Sequence, residues 1–291
     1  MKRFIVLTGA TGGIGQEILK VLLKNDKYNI IVSYRKESQL NMFLEMDDER
    51  IIPINADLSK SDDIDKLSKK IKSHVSNDGI YALINCAGLA DATPLEYSSE
   101  KKARELMEVN YFAPMKLTKN LLSDLKVYSD ANAVKSRVVN VASWAGVVAQ
   151  PFIPFYNASK FAIMGFSESI YYDLGLDNIH VVSIIPGVTK TALLSKTTGS
   201  AFDSIKGSSK YDKYNKNFKM FSTDPSEGPF AKFLSSSKKA GENIVSILEK
   251  DNPKSRYAIA SDAKFMDLIV SRLFPVKMRL GMMKRMYSLE K

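Results

Sequence analysis

The segment Phe4-Ile-Val-Leu-Thr-Gly-Ala-Thr-Gly-Gly-Ile-Gly15 decides the fold, because it joins a strand pattern directly to a glycine-rich turn. Its first four residues are apolar and rich in β-formers, as expected for a strand buried on both faces. Apolar residues at helical spacing follow from Gln16 to Lys24. In this context the turn predicts a dinucleotide phosphate site, since glycines let the backbone approach a phosphate and the helix start offers N–H groups.

A second strand pattern, Tyr28 to Tyr34, bears on the choice of dinucleotide. Arg35 follows it, twenty residues after Gly15, where the adenosine ribose is expected. An acid there would accept from the 2′-hydroxyl of NAD, whereas arginine accommodates a 2′-phosphate. Positions 33–36 contain no acid, so the sequence predicts NADP, with NAD the less favoured cofactor. Arg35 and Lys36 could also simply begin a solvated helix.

Strand and helix patterns alternate along the rest of the chain. Five further strand patterns cover residues 51–58, 80–84, 137–143, 181–185 and 256–260, and helical patterns cover 61–75, 99–127 and 238–250. No internal repeat or low-complexity linker interrupts them. We therefore predict one doubly wound α/β domain over residues 1–262, with a parallel sheet of about seven strands and helices on both faces.

Residues 190–237 and 263–291 depart from this alternation. The first segment is rich in Ser, Lys, Gly and Asp with scattered aromatic residues, which predicts a lid over an apolar substrate. The second is a basic amphipathic extension. It is typical of a helix packed on the lid or on a partner subunit, and a peripheral contact with a membrane surface is the alternative.

Composition argues against several classes of function. The net charge of +10 is dispersed and accompanies no groove-binding motif, so we expect no nucleic-acid partner. His74 and His180 lie far apart without cysteine neighbours, so we expect no metal site. The single cysteine, Cys86, fits a reducing compartment. We find neither a signal-peptide pattern nor an apolar run of the roughly 20 residues that a transmembrane helix needs, and we expect a cytoplasmic protein.

Candidate site residues fall at the carboxyl ends of the predicted strands, where open parallel sheets bind ligands. Asp57 follows the third strand and could hold the edge of an adenine ring or cap the next helix. The small residues of Asn85-Cys-Ala-Gly88 follow the fourth strand and allow a close approach of a ligand. Ser143 ends the fifth strand, and Pro186-Gly187 closes the sixth.

Tyr156 and Lys160 lie four residues apart, on one face of a predicted helix. An ammonium near a phenol stabilises the phenolate, so the tyrosine could exchange a proton with a substrate oxygen. Taken alone, the pair is a short pattern that many amphipathic helices contain. Asn110 is a polar residue within an apolar stripe, and it could equally be a hydrogen-bonded core amide or mark a kink near Pro114.

Together these stretches resemble the short-chain dehydrogenase/reductase family, in its classical branch, from Lys2 to about Ala260. The matching motifs are Thr8-Gly-x-x-x-Gly13-x-Gly15, Asn85-x-Ala-Gly88, Asn110, Ser143, Tyr156-x-x-x-Lys160, and Pro186-Gly187 with Thr191. The resemblance implies a Rossmann-like fold and hydride transfer between a nicotinamide cofactor and an alcohol or carbonyl group.

The resemblance also implies residue roles. Tyr156 is the general acid in reduction and the base in oxidation, and Ser143 polarises the carbonyl oxygen. Lys160 lowers the pKa of Tyr156 and holds the nicotinamide ribose. Asn110 keeps a water in the proton path, and Thr191 bonds the nicotinamide carboxamide. The implied cofactor contacts are Thr8, Gly9, Thr11, Gly13, Ile14, Gly15, Arg35, Asp57, Leu58, Asn85, Ala87, Gly88, Tyr156, Lys160, Pro186, Gly187 and Thr191.

Two features depart from the classical pattern. Gly9, Gly12 and Gly15 also have the spacing of the extended branch, which contains nucleotide-sugar epimerases and dehydratases. The Asn-x-Ala-Gly stretch and the Pro-Gly turn favour the classical branch. Thr189 stands where many relatives carry Val or Ile, which weakens the role of Thr191. A dinucleotide-binding sensor without activity is a further alternative, disfavoured because all four catalytic positions are present.

Resemblance within the family bears on substrate and assembly. Residues 156–169 and 252–263 are similar to retinol and hydroxysteroid dehydrogenase-like members, which act on bulky lipophilic alcohols and ketones. A small hydrophobic alcohol or ketone is therefore the implied substrate. Relatives often pair through the helices that carry Asn110 and Tyr156, so a homodimer or homotetramer is implied.

Overall fold

A seven-stranded, fully parallel sheet forms the centre of the protein, in the order β3-β2-β1-β4-β5-β6-β7. The computed structural model describes residues 2–189, 235–287 and 289. The strands are β1 Arg3–Thr8, β2 Tyr28–Tyr34, β3 Ile51–Asn55, β4 Ala82–Asn85, β5 Arg137–Val141, β6 His180–Ile185 and β7 Arg256–Ala258. All seven predicted strands are present, and the predicted doubly wound Rossmann-like fold is confirmed.

Helices connect the strands and cover both faces of the sheet. They are α1 Gly13–Leu22, α2 Glu37–Leu44, α3 Ser61–Val75, α4 Glu100–Met107, α5 Ala113–Asn120, α6 Leu122–Ala131, α7 Pro154–Gly175, α8 Ser237–Leu248, α9 Ser261–Lys264, α10 Ser271–Leu273 and α11 Val276–Met286. The helical pattern predicted over residues 99–127 is confirmed, but it is not one regular α-helix, because the chain forms a π-helical turn over Glu108–Phe112 and breaks again at Leu121. Pro114 lacks the N–H that an α-helix would direct to the carbonyl of Asn110.

Two apolar layers, one on each face of the sheet, make the core. Along β1 the side chains of Ile5 and Leu7 join one cluster, and those of Phe4 and Val6 join the other. This explains the apolar run at residues 4–7 within β1, because a central parallel strand is buried on both faces. The layers fix the strand ends, from which the functional side chains project.

Arg137 is a fully buried cation at the start of β5, whereas Ser143 follows the other end of that strand. Its guanidinium donates to the carbonyl oxygens of Leu248, Lys250 and Lys135 and lies 4.6 Å from the centre of the Tyr81 ring. Arg137 thereby ties the end of α8 to β5. Removing it would take away three carbonyl hydrogen bonds of a charged donor, although the Leu248 carbonyl also accepts from the Tyr81 hydroxyl at 2.9 Å. Each hydrogen bond to a charged group contributes about 1.5–3 kcal/mol.

We expect Arg137→Met to lower the free energy of unfolding by about 3 kcal/mol, measured by denaturant titration. The control is Arg104→Met, which removes an exposed ion pair with Glu100 on α4. Exposed pairs of this kind contribute at most about 1 kcal/mol. Equal losses in the two variants would show that the buried hydrogen bonds of Arg137 do not stabilise the fold.

The C-terminal segment packs onto the same side of the domain as Ser143 and Tyr156. Ala263, Met266, Val270, Met283 and Tyr287 form a third apolar cluster with side chains that include Trp144, Ile163 and Met164. The helical prediction for this tail is confirmed in part, as α9, a π-helical turn over Phe265–Val270, α10 and α11. In the described part of the chain, no helix is both long and apolar enough to cross a membrane.

Candidate active site

A cavity of about 590 Å³ opens at the carboxyl ends of the central strands. It lies where the strand order changes direction, since β1 pairs with β2 on one side and with β4 on the other. Such a crossover point is where open α/β sheets bind ligands. The cavity extends from Arg35 and Asp57, past the glycine-rich turn, to Ser143, Tyr156 and Lys160.

The glycine-rich turn forms one wall of the cavity and fits a pyrophosphate. Gly9 has φ +73°, and a Cβ there would lie 2.6 Å from the backbone nitrogen of Ala87. A Cβ on Gly15 would lie 2.1 Å from the carbonyl oxygen of Gly9. Only glycine fits at these two positions, and the first turn of α1 presents N–H groups without helical partners to the cavity. Thr11, Gly13, Ile14 and Gly15 line it, as predicted.

Thr8 and Asn85, two predicted cofactor contacts, do not line the cavity but lie buried behind it. The hydroxyl oxygen of Thr8 accepts from the backbone N–H groups of Cys86 and Ala87, at 3.1 and 3.2 Å. Asn85 donates to the side-chain oxygen of Asn140 at 2.8 Å. Thr8 therefore holds the backbone that leads into Ala87 and Gly88, which do line the cavity, while the Asn85 side chain links β4 to β5.

Arg35, Asp57 and Leu58 meet at the end of the cavity that is expected to hold adenosine. The Arg35 guanidinium lies 3.9 Å from the Asp57 carboxylate and is half exposed, so it remains accessible to a phosphate. Burial opposes ionisation of Asp57, but hydrogen bonds from Ser59 and the charge of Arg35 hold its pKa below the ordinary value. Asp57 does not cap α3, because Lys60 stands at that position.

Gln39 is a cavity residue that the sequence analysis missed. Its amide nitrogen donates to the Thr11 hydroxyl at 2.9 Å, and its amide oxygen accepts from the Arg35 N–H at 2.8 Å. Gln39 thereby joins the glycine-rich turn to the residue expected to bind the 2′-phosphate. The signal was present, since a glutamine in the first turn of a helix often bonds backbone N–H groups before that turn.

Ser143, Tyr156 and Lys160 lie together at the other end of the cavity. Ser143 follows β5, while Tyr156 and Lys160 lie one turn apart on α7. A hydrogen bond joins the Ser143 and Tyr156 side chains. The Lys160 ammonium lies 5.8 Å from the centre of the Tyr156 ring and donates to the Val141 carbonyl at 3.1 Å. The three predicted side chains are thus brought together.

The electrostatics of this group differ from the expectation. Burial raises the pKa of Tyr156, and the hydrogen bond with Ser143 opposes this effect without reversing it. Burial lowers the pKa of Lys160 to about 8. The predicted lowering of the tyrosine pKa by Lys160 is therefore not present in the protein alone, because desolvation dominates. A phenol that stays protonated at neutral pH is suited to donate a proton.

Asn110 lies in the π-helical turn, and both the nitrogen and the oxygen of its side-chain amide form hydrogen bonds. Its amide nitrogen donates to the Leu89 carbonyl and to the Ser159 hydroxyl, both at 2.9 Å, and its oxygen accepts from the Leu89 N–H at 2.8 Å. Its oxygen and the Lys160 nitrogen lie 3.5 and 3.6 Å from the Cβ position of Gly88. Both interpretations of Asn110, a hydrogen-bonded amide and an irregular helix near Pro114, are confirmed, while its role towards a water stays a prediction.

Pro186, Gly187, Val188 and Thr189 line the cavity beside this group. A Cβ on Gly187 would lie 1.9 Å from a carboxylate oxygen of Asp262. The Thr189 hydroxyl donates to the Gly187 carbonyl at 3.0 Å. Thr191 and the predicted lid up to residue 234 lie outside the described residues, so their predicted roles are untested.

The sequence analysis did not predict the residues that form the remaining wall of the cavity. Trp144, Ile153, Gln150 and Tyr287 line the cavity next to Ser143, and the Tyr287 hydroxyl donates to the Gln150 side-chain oxygen at 3.0 Å. Tyr287 comes from the end of the C-terminal segment, far away in sequence. No local pattern marks it, because its place depends on the packing of α11. Among the described residues, no group of acidic, histidine or cysteine side chains could hold a metal ion.

The site and fold define a dinucleotide-binding α/β protein with a Ser-Tyr-Lys group at the cavity end away from adenosine. Residues 3–200 match the model of the short chain dehydrogenase family. The chain belongs to this family and is an NAD(P)-dependent oxidoreductase.

Comparison with individual relatives gives more detail. The chain is 30% identical to an NADPH-dependent 3-dehydrocapnine reductase of Ornithobacterium rhinotracheale, over 67% of this chain and 68% of that one. It is 27% identical to an NADPH-dependent 1-acyldihydroxyacetone phosphate reductase of Saccharomyces cerevisiae, over 67% and 64% of the two chains. It is 25% identical to a 3-ketodihydrosphingosine reductase of Bacteroides thetaiotaomicron, over 87% and 86%. The match thus spans about two thirds of the first two relatives.

Solved structures agree with the fold. A short-chain dehydrogenase from Streptomyces avermitilis has a TM-score of 0.77 at 20% identity, covering 100% of this chain and 99% of its own. One from Burkholderia cenocepacia, in complex with NADP, has a TM-score of 0.71 at 21% identity, with 98% and 97% covered. A 3-ketoacyl-(acyl-carrier-protein) reductase from Brucella melitensis, in complex with NADH, also has 0.71, at 18% identity and with 90% and 98% covered.

Proposed function

We propose that this protein uses NADPH to reduce a ketone carried by a long-chain, lipophilic substrate. The main support for the proposal is that one continuous cavity is lined by Arg35 at one end and by Ser143 and Tyr156 at the other. Its glycine-rich wall, which lies between these two ends, fits the pyrophosphate of a dinucleotide. Three relatives whose names specify ketone-bearing lipids or their reduced products support the lipid substrate.

Residues of this chain would hold the cofactor along the cavity. Arg35 would pair with the 2′-phosphate, the first turn of α1 would face the pyrophosphate, and Lys160 would hold the nicotinamide ribose. Bound NADPH would supply a hydride. The remaining requirement is a proton donor at the substrate oxygen, and protonated Tyr156 meets it. Ser143, hydrogen-bonded to Tyr156, would donate to the same oxygen as negative charge develops there.

The wall beyond Ser143 supports a lipophilic substrate. Trp144, Ile153, Leu89, Ala92 and Val188 contribute an apolar surface next to the proposed carbonyl site. Apolar walls with a few convergent polar groups are typical of sites that bind lipophilic molecules. We further propose that the substrate resembles those of retinol and hydroxysteroid dehydrogenase-like members, and the same apolar wall supports this finer proposal.

The experiment that tests the function is a carbonyl panel followed by NADPH absorbance. It compares 3-ketodihydrosphingosine and 1-acyldihydroxyacetone phosphate with a steroid ketone, a retinal and a short β-keto ester. We expect kcat/KM to be highest for one of the long-chain ketones. Equal turnover of the short ester would contradict a lipid substrate, and absence of turnover with every carbonyl would contradict the reductase proposal itself.

A membrane contact of the C-terminal segment is a separate proposal. Seven of the sixteen large apolar side chains that are most exposed in the described residues lie in this segment, at Phe265, Leu268, Ile269, Leu273, Val276, Met278 and Leu280. Arg272, Lys277, Arg279, Lys284 and Arg285 lie among or just after them, while the single acid between 264 and 287, Asp267, is buried. Exposed apolar groups among cations complement an anionic lipid surface.

Leu273→Glu tests this contact in vesicle sedimentation. We expect the wild-type protein to sediment with vesicles of phosphatidylcholine and phosphatidylglycerol, and the variant to lose most of that binding. Leu176→Glu, just after α7, alters a leucine elsewhere that is even more exposed, 88% against 68% for Leu273, and serves as the control. Binding that is the same in both variants, or that needs no anionic lipid, would exclude the proposal.

Assembly, domain limits and compartment stay predictions. Phe112, Phe161 and Tyr172 are exposed aromatic residues on the helical segments that carry Asn110 and Tyr156. Such residues are enriched at protein interfaces, which supports a homodimer or homotetramer formed through these segments. The single cysteine supports the proposed cytoplasmic location.

A further inference from the structure

Asp262 is a buried carboxylate behind the cavity, in α9, with only 2% of its surface exposed. One of its oxygens accepts from the backbone N–H of Val188 at 2.6 Å. Its other oxygen has no hydrogen-bond partner among the described residues and lies against Gly187. Burying a carboxylate costs free energy unless hydrogen bonds or opposite charges compensate it. The burial of Asp262 with one unpaired oxygen therefore needs an explanation.

Two contacts of Asp262, those with Gly187 and Val188, fall on the segment Pro186 to Thr189, which lines the cavity. The Val188 N–H is fixed by Asp262, and the Val188 carbonyl accepts from the Ser235 N–H at 3.2 Å. Gly187 has no room for a side chain, because a Cβ would collide with the Asp262 oxygen and with Ala260. The carboxylate and the cavity wall are thus in direct contact over two consecutive residues.

This wall faces the half of the cavity that would receive the nicotinamide. Adenosine is expected near Arg35 and the pyrophosphate at the glycine-rich turn, which leaves the end with Tyr156 and Lys160 for the nicotinamide. The segment follows β6, which neighbours β5, and Ser143 follows β5. A displacement of the wall would therefore move the nicotinamide relative to Tyr156 and Ser143.

We infer that Asp262 is a positioning residue that holds the Pro186–Thr189 wall in the shape that binds the nicotinamide half of the cofactor. This inference rests on the proposed NADPH-dependent reduction. Asp262 acts through the backbone of Val188 and touches neither substrate nor cofactor. Its contribution is preorganisation: the wall is held before binding, so that cofactor binding does not have to order it.

The test compares binding of NADPH with binding of 2′,5′-ADP, which contains only the adenosine half. In Asp262→Ala we expect the Kd for NADPH to rise about tenfold, as for loss of one hydrogen bond to a charged group, and the Kd for 2′,5′-ADP to change less than about twofold. Asp262→Asn keeps an oxygen that can accept from Val188, so it should bind NADPH nearly as the wild type does. In the alanine variant kcat should fall as well.

Asp267 provides a matched control. It is equally buried in the same segment, but it pairs with Arg256 and does not line or support the cavity wall. Asp267→Ala should lower the melting temperature and leave both Kd values unchanged. If Asp262→Ala does not fold, Gly187→Ala is used in its place, because the Cβ of the new alanine must displace the wall from Asp262. We again expect a higher Kd for NADPH and a nearly unchanged Kd for 2′,5′-ADP.

Two results would overturn the inference. One is an Asp262→Ala protein that binds NADPH as the wild type does, and the other is equal weakening of NADPH and 2′,5′-ADP, which indicates a general loss of structure. A wild-type protein that binds 2′,5′-ADP and NADPH but reduces no carbonyl would contradict the proposed reaction and not the role of Asp262. One that binds neither ligand would contradict both.

Discussion

Tyr156→Phe should abolish carbonyl reduction while leaving NADPH binding intact. The variant loses only the phenolic O–H, which forms a hydrogen bond with Ser143 and is the proposed proton donor. General acid catalysis contributes about 10²- to 10⁴-fold to a rate, so we expect kcat to fall by at least about 10²-fold. The Kd for NADPH, measured by fluorescence titration, should stay within about twofold of the wild-type value, because the ring remains.

The matched control is Tyr171→Phe, which makes the same change on the same helix, α7, at an exposed position outside the cavity. Its turnover should equal that of the wild type. Turnover retained in Tyr156→Phe would show that another group protonates the substrate. A loss of NADPH binding in that variant would indicate a role in holding the cofactor instead of in proton transfer.

Arg35→Asp should reverse the preference between NADPH and NADH. The Arg35 guanidinium is half exposed at the adenosine end and makes one long ion pair, at 3.9 Å, to Asp57. A phosphate would form stronger, charge-assisted hydrogen bonds with it. Replacing it by a carboxylate removes these bonds and adds repulsion, so we expect the KM for NADPH to rise by about 10²-fold. The KM for NADH should fall or stay the same.

Two further variants separate the causes of this change. Arg35→Gln removes the charge without adding repulsion, and it should show a smaller loss of NADPH preference. Lys36→Asp makes a similar change of charge at the next position, which does not line the cavity, and should have little effect. A wild-type enzyme that already prefers NADH would contradict the assignment of NADP, as would an unchanged preference in Arg35→Asp.

Much of the fold was predictable because local patterns and tertiary packing agree. The apolar run at residues 4–7 within β1 predicts a strand buried on both faces, and the alternation of elements predicts a parallel sheet. The helical pattern near Asn110 was predicted, but its apolar spacing continues through a π-helical turn, so the pattern did not show where the α-helix is interrupted. Pro114 was the only local sign of that interruption, and it does not indicate which irregular turn will form.

The sequence predicted those site residues whose chemical role can be inferred from one short segment. The glycine-rich turn, Arg35, Ser143 and the Tyr156–Lys160 pair all line the cavity, as expected. Thr8 and Asn85 lie behind it, because their side chains satisfy buried partners. The sequence did not predict Asp262 or Tyr287, since each acts on the site only after the C-terminal segment has packed against the domain.

The pKa of Tyr156 shows why residue identity alone does not give the chemistry. The Tyr-x-x-x-Lys pattern predicts a lowered phenol pKa, because a nearby ammonium favours the phenolate. In the folded protein both groups are desolvated, so the pKa of Tyr156 is raised and that of Lys160 is lowered to about 8. The balance between burial and charge depends on packing. The raised pKa keeps the Tyr156 phenol protonated at neutral pH, so it holds the proton that a reduction needs, but it makes the phenol a weaker acid than free tyrosine.

A single-turnover reaction with NADPH that carries deuterium at both hydrogen positions of nicotinamide C4 tests the central claim most directly. The enzyme is mixed with the deuterated cofactor and the long-chain ketone that the carbonyl panel selects, and the product is analysed by mass spectrometry. We predict an alcohol that carries one deuterium at the former carbonyl carbon for each NADPH consumed, and no such product from Tyr156→Phe. An alcohol without deuterium, or the same yield from the variant, would contradict hydride transfer assisted by Tyr156.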